Sequence, residues 1–109
     1  MDDLLTYEAC PACLNAYGQV HGGVLLRWAE ACARQAMTSF SDGRRFELER
    51  MERMDFIAPV NPQEHVTAEA SLVTEAFPQI SIRVSLHRGR KNPSGPCIAK
   101  AGFQYRVLR

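Results

Sequence analysis

Between Gly22 and Phe40 apolar residues recur at steps of three and four; past Ser41-Asp42-Gly43 they recur at every second position. This change of period is the strongest constraint on the fold, because a 3.6-residue repeat collects side chains on one face of a helix and a two-residue repeat on one face of a strand. Leu25, Ala29, Cys32, Ala36 and Phe40 make the helical stripe, widened by Leu26, Trp28, Ala33 and Met37, with Arg27, Arg34, Gln35 and Thr38 on the other side. Glu30 falls about 20° beyond Met37 on the helical wheel, at the rim of the apolar arc, where a carboxylate can look into a cleft.

The later segments read as strands. Phe46, Leu48, Met54 and Phe56 share one parity, interrupted by Arg50 and Glu52, and Pro59 and Pro62 end that run. Val66, Ala68, Ala70, Leu72 and Thr74 alternate with Thr67, Glu69, Ser71 and Val73. Ile80, Ile82, Val84 and Leu86 alternate with Ser81, Arg83, Ser85 and His87 in the clearest strand of the chain. A polar connection from Gly89 to Pro96 leads to a last strand through Ile98, Ala99, Ala101, Phe103, Tyr105 and Val107. The connections are too short for helical crossovers, so the sheet is expected to be antiparallel. One long helix against strands with a single apolar face is an α+β domain. Residues 1 to 14 fit either a short strand or a turn of helix.

At 109 residues the chain has the length of one domain. A single helix on a sheet of this size leaves apolar surface that a second subunit would cover. The net charge of +1 argues against a general nucleic-acid binder. From Val66 onward, however, Arg83, Arg88, Arg90, Lys91, Lys100, Arg106 and Arg109 face only Glu69 and Glu75. Such a surplus is either a solvated strand face or a site for a phosphate-bearing ligand. The N-terminus shows no signal-peptide pattern and no run reaches membrane-spanning length, so a cytoplasmic protein with no membrane partner is expected. Cys32 and Cys97 sit in apolar patterns, and Cys10-Pro-Ala-Cys13 lacks the second ligand pair that a zinc site needs, so no metal is expected.

The chemistry concentrates in Asn15-Ala-Tyr-Gly18-Gln-Val20-His21-Gly22-Gly23-Val24 and the helix that follows. Two glycines at a helix mouth leave main-chain N–H groups unshielded where the helix supplies partial positive charge, the outline of an oxyanion site. Glu30 stands two turns further on. Its plainer reading is an exposed ion pair with Arg34 at i+4, worth about 0.3–0.5 kcal/mol. The glycines could likewise be a tight turn, and Asn15 a loop cap.

These residues resemble the hotdog-fold thioesterases, in particular the acyl-CoA branch related to the phenylacetic-acid-pathway and 4-hydroxybenzoyl-CoA enzymes. The pattern N-x-x-G-x-V-H-G-G-V with an acid at Glu30 carries the resemblance, together with Asp55-Phe56-Ile57-Ala58-Pro59-Val60 and the Ala-rich last strand. The family's usual Gly-Asp turn after Pro-Val is replaced here by Pro62-Gln63-Glu64. The resemblance implies a hotdog fold, one long central helix wrapped by a curved antiparallel sheet over residues 1–109, and hydrolysis of an acyl-CoA or acyl-carrier-protein thioester. It implies Glu30 as base or nucleophile, Gly22 or Gly23 as oxyanion donor, Asn15 orienting the thioester oxygen or the water, and His21 bracing the loop. It further implies a homodimer or homotetramer with active sites between protomers, and no cofactor beyond the coenzyme A of the substrate. The basic hairpin at Arg88, Arg90 and Lys91 is the expected contact for the phosphates of coenzyme A. A non-catalytic module that binds acyl-CoA or acyl carrier protein is the competing expectation.

Overall fold

A computed structural model of the chain describes residues 3–8, 14–16, 18–90 and 95–108. Cys10, Cys13, Lys91 and Arg109, on which sequence expectations fell, lie outside the described residues. The chain runs β1 (Asp3–Glu8), α1 (Gly22–Phe40), β2 (Phe46–Phe56), β3 (His65–Ala76), β4 (Gln79–Arg88) and β5 (Cys97–Val107). The strands form one five-stranded sheet in the order β1-β3-β4-β5-β2, and every pairing is antiparallel. α1 packs across its middle, so the expected fold, a helix against an antiparallel sheet, is the fold observed. The ambiguous N-terminal segment contains a strand, β1.

The change of period explains the packing. Buried Ile80, Ile82, Val84 and Leu86 form the central stripe of β4. In register beside them stand Tyr105, Phe103, Ala101 and Ala99 of β5, and Val84 and Leu86 also face Ala70 and Ala68 of β3. The small side chains under the helix let Ala29, Cys32, Ala33 and Ala36 approach the sheet closely, and all four are almost fully buried. Burial of this kind is worth about 25 cal/mol per Å² of apolar surface. α1 ends where Ser41 N–H bonds Met37 O, and Asp42 and Gly43, at φ 55° and 78°, turn the chain back toward β2. Trp28 is held by an edge strand of the sheet: Tyr7 of β1 stacks on it at 4.9 Å and 7°, and the Tyr7 hydroxyl donates to Trp28 O at 3.3 Å.

Two expectations about faces need correction. β2 does not keep one parity, because register shifts against β5 fall between Leu48 and Arg50 and between Met51 and Met54. It is an edge strand, and Leu48 and Met51 are both 44% exposed. On β3 the buried face stops at Ala70. Among the described residues β1 pairs as far as Ala70, and Leu72 and Thr74 beyond it are exposed. Thr67, on the polar parity, is nevertheless fully buried, and its hydroxyl donates to Gly89 O at 2.7 Å.

Candidate active site

The loop before α1 is shaped by its own main chain. Asn15 N–H donates to Gln19 O at 2.6 Å and Gly18 N–H to Asn15 O at 3.0 Å, while Gly18 adopts a φ of 75° that suits a residue without Cβ. The Asn15 side-chain oxygen accepts from Gln19 N–H at 3.1 Å. Asn15 therefore acts as a loop cap through that oxygen. The His21 carbonyl accepts from Val24 and Leu25 N–H, the first bonds of α1; its side chain makes no capping bond.

The first turn of α1 carries no acidic residue and no side-chain cap. With Val24 and Leu25 N–H taken by His21 O, the Gly22 and Gly23 N–H groups and the partial positive charge are left for an outside acceptor. The two glycines differ. A Cβ on Gly22 would lie 3.1 Å from the Phe56 ring, whereas a Cβ on Gly23 would meet no atom within 4 Å. Gly22 makes room for Phe56, and Gly23 faces open space. A hollow of about 280 Å³ lies beside this mouth, lined by Val20, Gly22, Leu25, Phe56, Ile57 and Pro59 among others.

Glu30 leans under the helix rim. Its side chain is 22% exposed against 65% for Arg34. Arg34 Nε donates to Glu30 Oε2 at 3.1 Å and its Nη2 to Oε1 at 2.5 Å, so the i, i+4 ion pair is formed. From the sheet, Tyr105 Oη donates to Glu30 Oε2 at 3.0 Å. Burial first, then the Glu30 charge, pushes the Tyr105 phenol well above its ordinary value, which keeps it a neutral donor. Sequence reading missed this contact: Tyr105 reads as an apolar position of an alternating strand, and only the β4–β5 register and the crossing of α1 bring it beneath Glu30. The hollow outside Glu30, about 530 Å³, is lined by Arg27, Ala31, Arg34, Gln35 and Thr38. It is separate from the hollow at the helix mouth.

The basic hairpin is less available than its sequence suggests. Arg88 is paired with Glu64 and donates to Pro59 O at 2.9 Å; Arg90 is exposed. The Arg88 hydrogen bond is the first cause that holds the Glu64 carboxyl below the usual glutamate range. Glu64 Oε1 also accepts from Asn61 N–H at 2.7 Å, so Arg88 and Glu64 clamp the Pro62-Gln63-Glu64 turn. There Gln63 has a φ of 69°, a conformation that favours glycine. Arg83 and Lys100 line a third hollow, of about 580 Å³, whose wall also includes Glu52, Arg53 and Asp55. Its mixed charge is no dedicated anion site. Among the described residues no cluster of His, Cys, Asp and Glu could hold a metal, and no helix is long and apolar enough to cross a membrane.

The family model described as the thioesterase superfamily matches residues 17–89. Comparison with curated protein sequences gives no match. Among solved structures, a mutant of the phenylacetic acid degradation protein PaaI from Thermus thermophilus superposes with a TM-score of 0.86 at 20% identity, over 98% of this chain and 85% of that one. The hexameric thioesterase y2039 from Yersinia pestis gives 0.87 at 22% identity, over 96% and 85%. The smu.793 protein from Streptococcus mutans, bound to acetyl CoA, gives 0.81 at 18% identity, over 98% and 81%. At these identities the likeness concerns the fold.

Proposed function

This chain belongs to the thioesterase superfamily, and from that premise we propose that it hydrolyses an acyl-CoA thioester to the free acid and coenzyme A. Glu30 is the general base and the N-terminus of α1, at Gly23, the oxyanion site. The observation that carries this reading is the held carboxylate: Glu30, largely shielded from solvent, bonded by Arg34 and Tyr105, on the helix whose mouth is left uncapped. The acetyl CoA bound to the Streptococcus mutans neighbour supports the substrate class.

An ionised carboxylate offers about four lone-pair positions. Arg34 and Tyr105 occupy three of them. The remaining one can accept a water proton without loss of any bond, whereas covalent attack by a carboxylate oxygen would disrupt the bonds that hold it. The base role is the one the geometry supports. In that role Glu30 takes a proton from water as the water oxygen attacks the thioester carbon. The carbonyl oxygen becomes an oxyanion that accepts from the Gly23 N–H, a contact of a type worth about 3–4 kcal/mol of barrier. The intermediate expels the thiolate, which recovers the proton from Glu30 as free thiol.

Seven residues of helix separate Gly23 from Glu30, a rise of about 10 Å. One thioester carbon cannot meet both ends. Glu30 is therefore assigned to work against the helix mouth of a second copy, in a homodimer or larger assembly. The exposed edge strand β2, with Leu48 and Met51 half open, supports such a neighbour. Among the described residues of the hairpin, Arg90 is the exposed base assigned to the phosphates of coenzyme A; Arg88 serves the turn.

The test is thiol release from short, long and aromatic acyl-CoAs by the native protein and by Glu30→Gln, with the protein's own cysteines blanked. Release by the native protein should fall about a hundredfold or more in the variant. No release from any substrate, with acyl-CoA binding retained, would overturn the enzyme reading and make the chain an acyl-binding module.

A further inference from the structure

We propose that Tyr105 is the positioning residue of the hydrolytic site, its hydroxyl fixing the Glu30 carboxylate from beneath the helix; this rests on the thioesterase reading above. Glu30 has a flexible side chain at the rim of α1, and its partner on that helix, Arg34, is 65% exposed, where water competes for the pair. Tyr105 differs in kind. It is 1% exposed, its ring meets Phe46 edge-on at 5.7 Å and 85°, and its backbone is locked between Ile80 of β4 and Leu48 of β2. A stiff aromatic anchored in the sheet holds Oε2 at 3.0 Å and ties the carboxylate to the sheet frame. A base must sit within a fraction of an ångström of its water to be effective.

The charged and titratable groups that face this pair are Arg34, on the helix side of Glu30, and Cys32, also on α1, whose proximity adds to the upward push on the Tyr105 phenol. That phenol remains a protonated donor throughout the range in which a carboxylate base works.

Tyr105→Phe removes the donor and keeps the ring. We expect kcat to fall about tenfold or more while KM stays within about twofold. A folded Tyr105→Phe with native kcat overturns the proposal. So does a loss carried by KM with kcat unchanged, which would mark a merely structural role. If Tyr105→Phe does not fold, fluorotyrosine incorporated into the native sequence decides by fluorine NMR, with Tyr7→Phe and Tyr17→Phe identifying the Tyr105 resonance by elimination. That resonance should sit at different positions in the native protein and in Glu30→Gln; the same position in both overturns the proposal. No thiol release from any acyl-CoA by the native protein would instead sink the hydrolytic reading while leaving the hydroxyl–carboxylate bond visible in the resonance.

Discussion

The two glycines at the mouth of α1 look equivalent in sequence and are not. Gly22 has an internal reason to lack a side chain, the Phe56 ring at 3.1 Å from any Cβ. Gly23 has none among the described residues, which is why the oxyanion role is proposed for it. Gly23→Ala should therefore fold at least as well as the native protein, since alanine is favoured over glycine in helices by up to about 1 kcal/mol, while thiol release falls about tenfold or more as the methyl crowds the oxyanion donor. A thermal melt and a thiol-release assay on the same preparation read both quantities. Undiminished activity in a normally folded Gly23→Ala would remove Gly23 from the site. The Gly-Gly pair and the acid two turns later were legible because both lie in one continuous stretch. Which glycine is open was not, since Phe56 belongs to a distant strand, and Tyr105 was hidden for the same reason. His21 and Asn15 were legible as loop residues, but their bonds are made by a carbonyl and by an amide oxygen turned back onto the loop.

At the scale of elements, the helix and the strands of clean alternation followed from local period, and the antiparallel order from the short connections between strands. β2 did not, because its bulges are set by the register with β5 and its exposure by its place at the sheet edge. The hairpin charges show the same limit. Arg88 belongs to a surplus of basic residues in sequence, yet in space it is the partner of Glu64. The Glu64 carboxyl is held below its ordinary range, first by that hydrogen bond. A group with a depressed folded value stabilises the fold above its unfolded value, about 4.3 for glutamate, and the contribution is lost as pH falls through the folded value. Glu64→Gln should therefore be less stable than the native protein at neutral pH, and the gap should close on acidification below about pH 4. Urea midpoints at both pH values measure it. A gap of the same size at both would mean that the clamp owes nothing to the charge.

The whole molecule, 44 × 25 × 20 Å, has Glu30 at one hollow and the mouth of α1, at Gly22, beside another. In the reading proposed above each site is completed by another copy, which the exposed edge of β2 gives a place to join. A complementation experiment tests this claim most directly. Glu30→Gln and Gly23→Val, each inactive alone, are unfolded together, refolded as a mixture and assayed for acyl-CoA thiol release. A site shared between two protomers predicts recovery: half of the randomly formed dimers are mixed and each holds one intact site, so activity returns to about a quarter of native. A mixture that forms mixed oligomers and stays as inactive as its parents would contradict the account, because each site would then lie within a single chain.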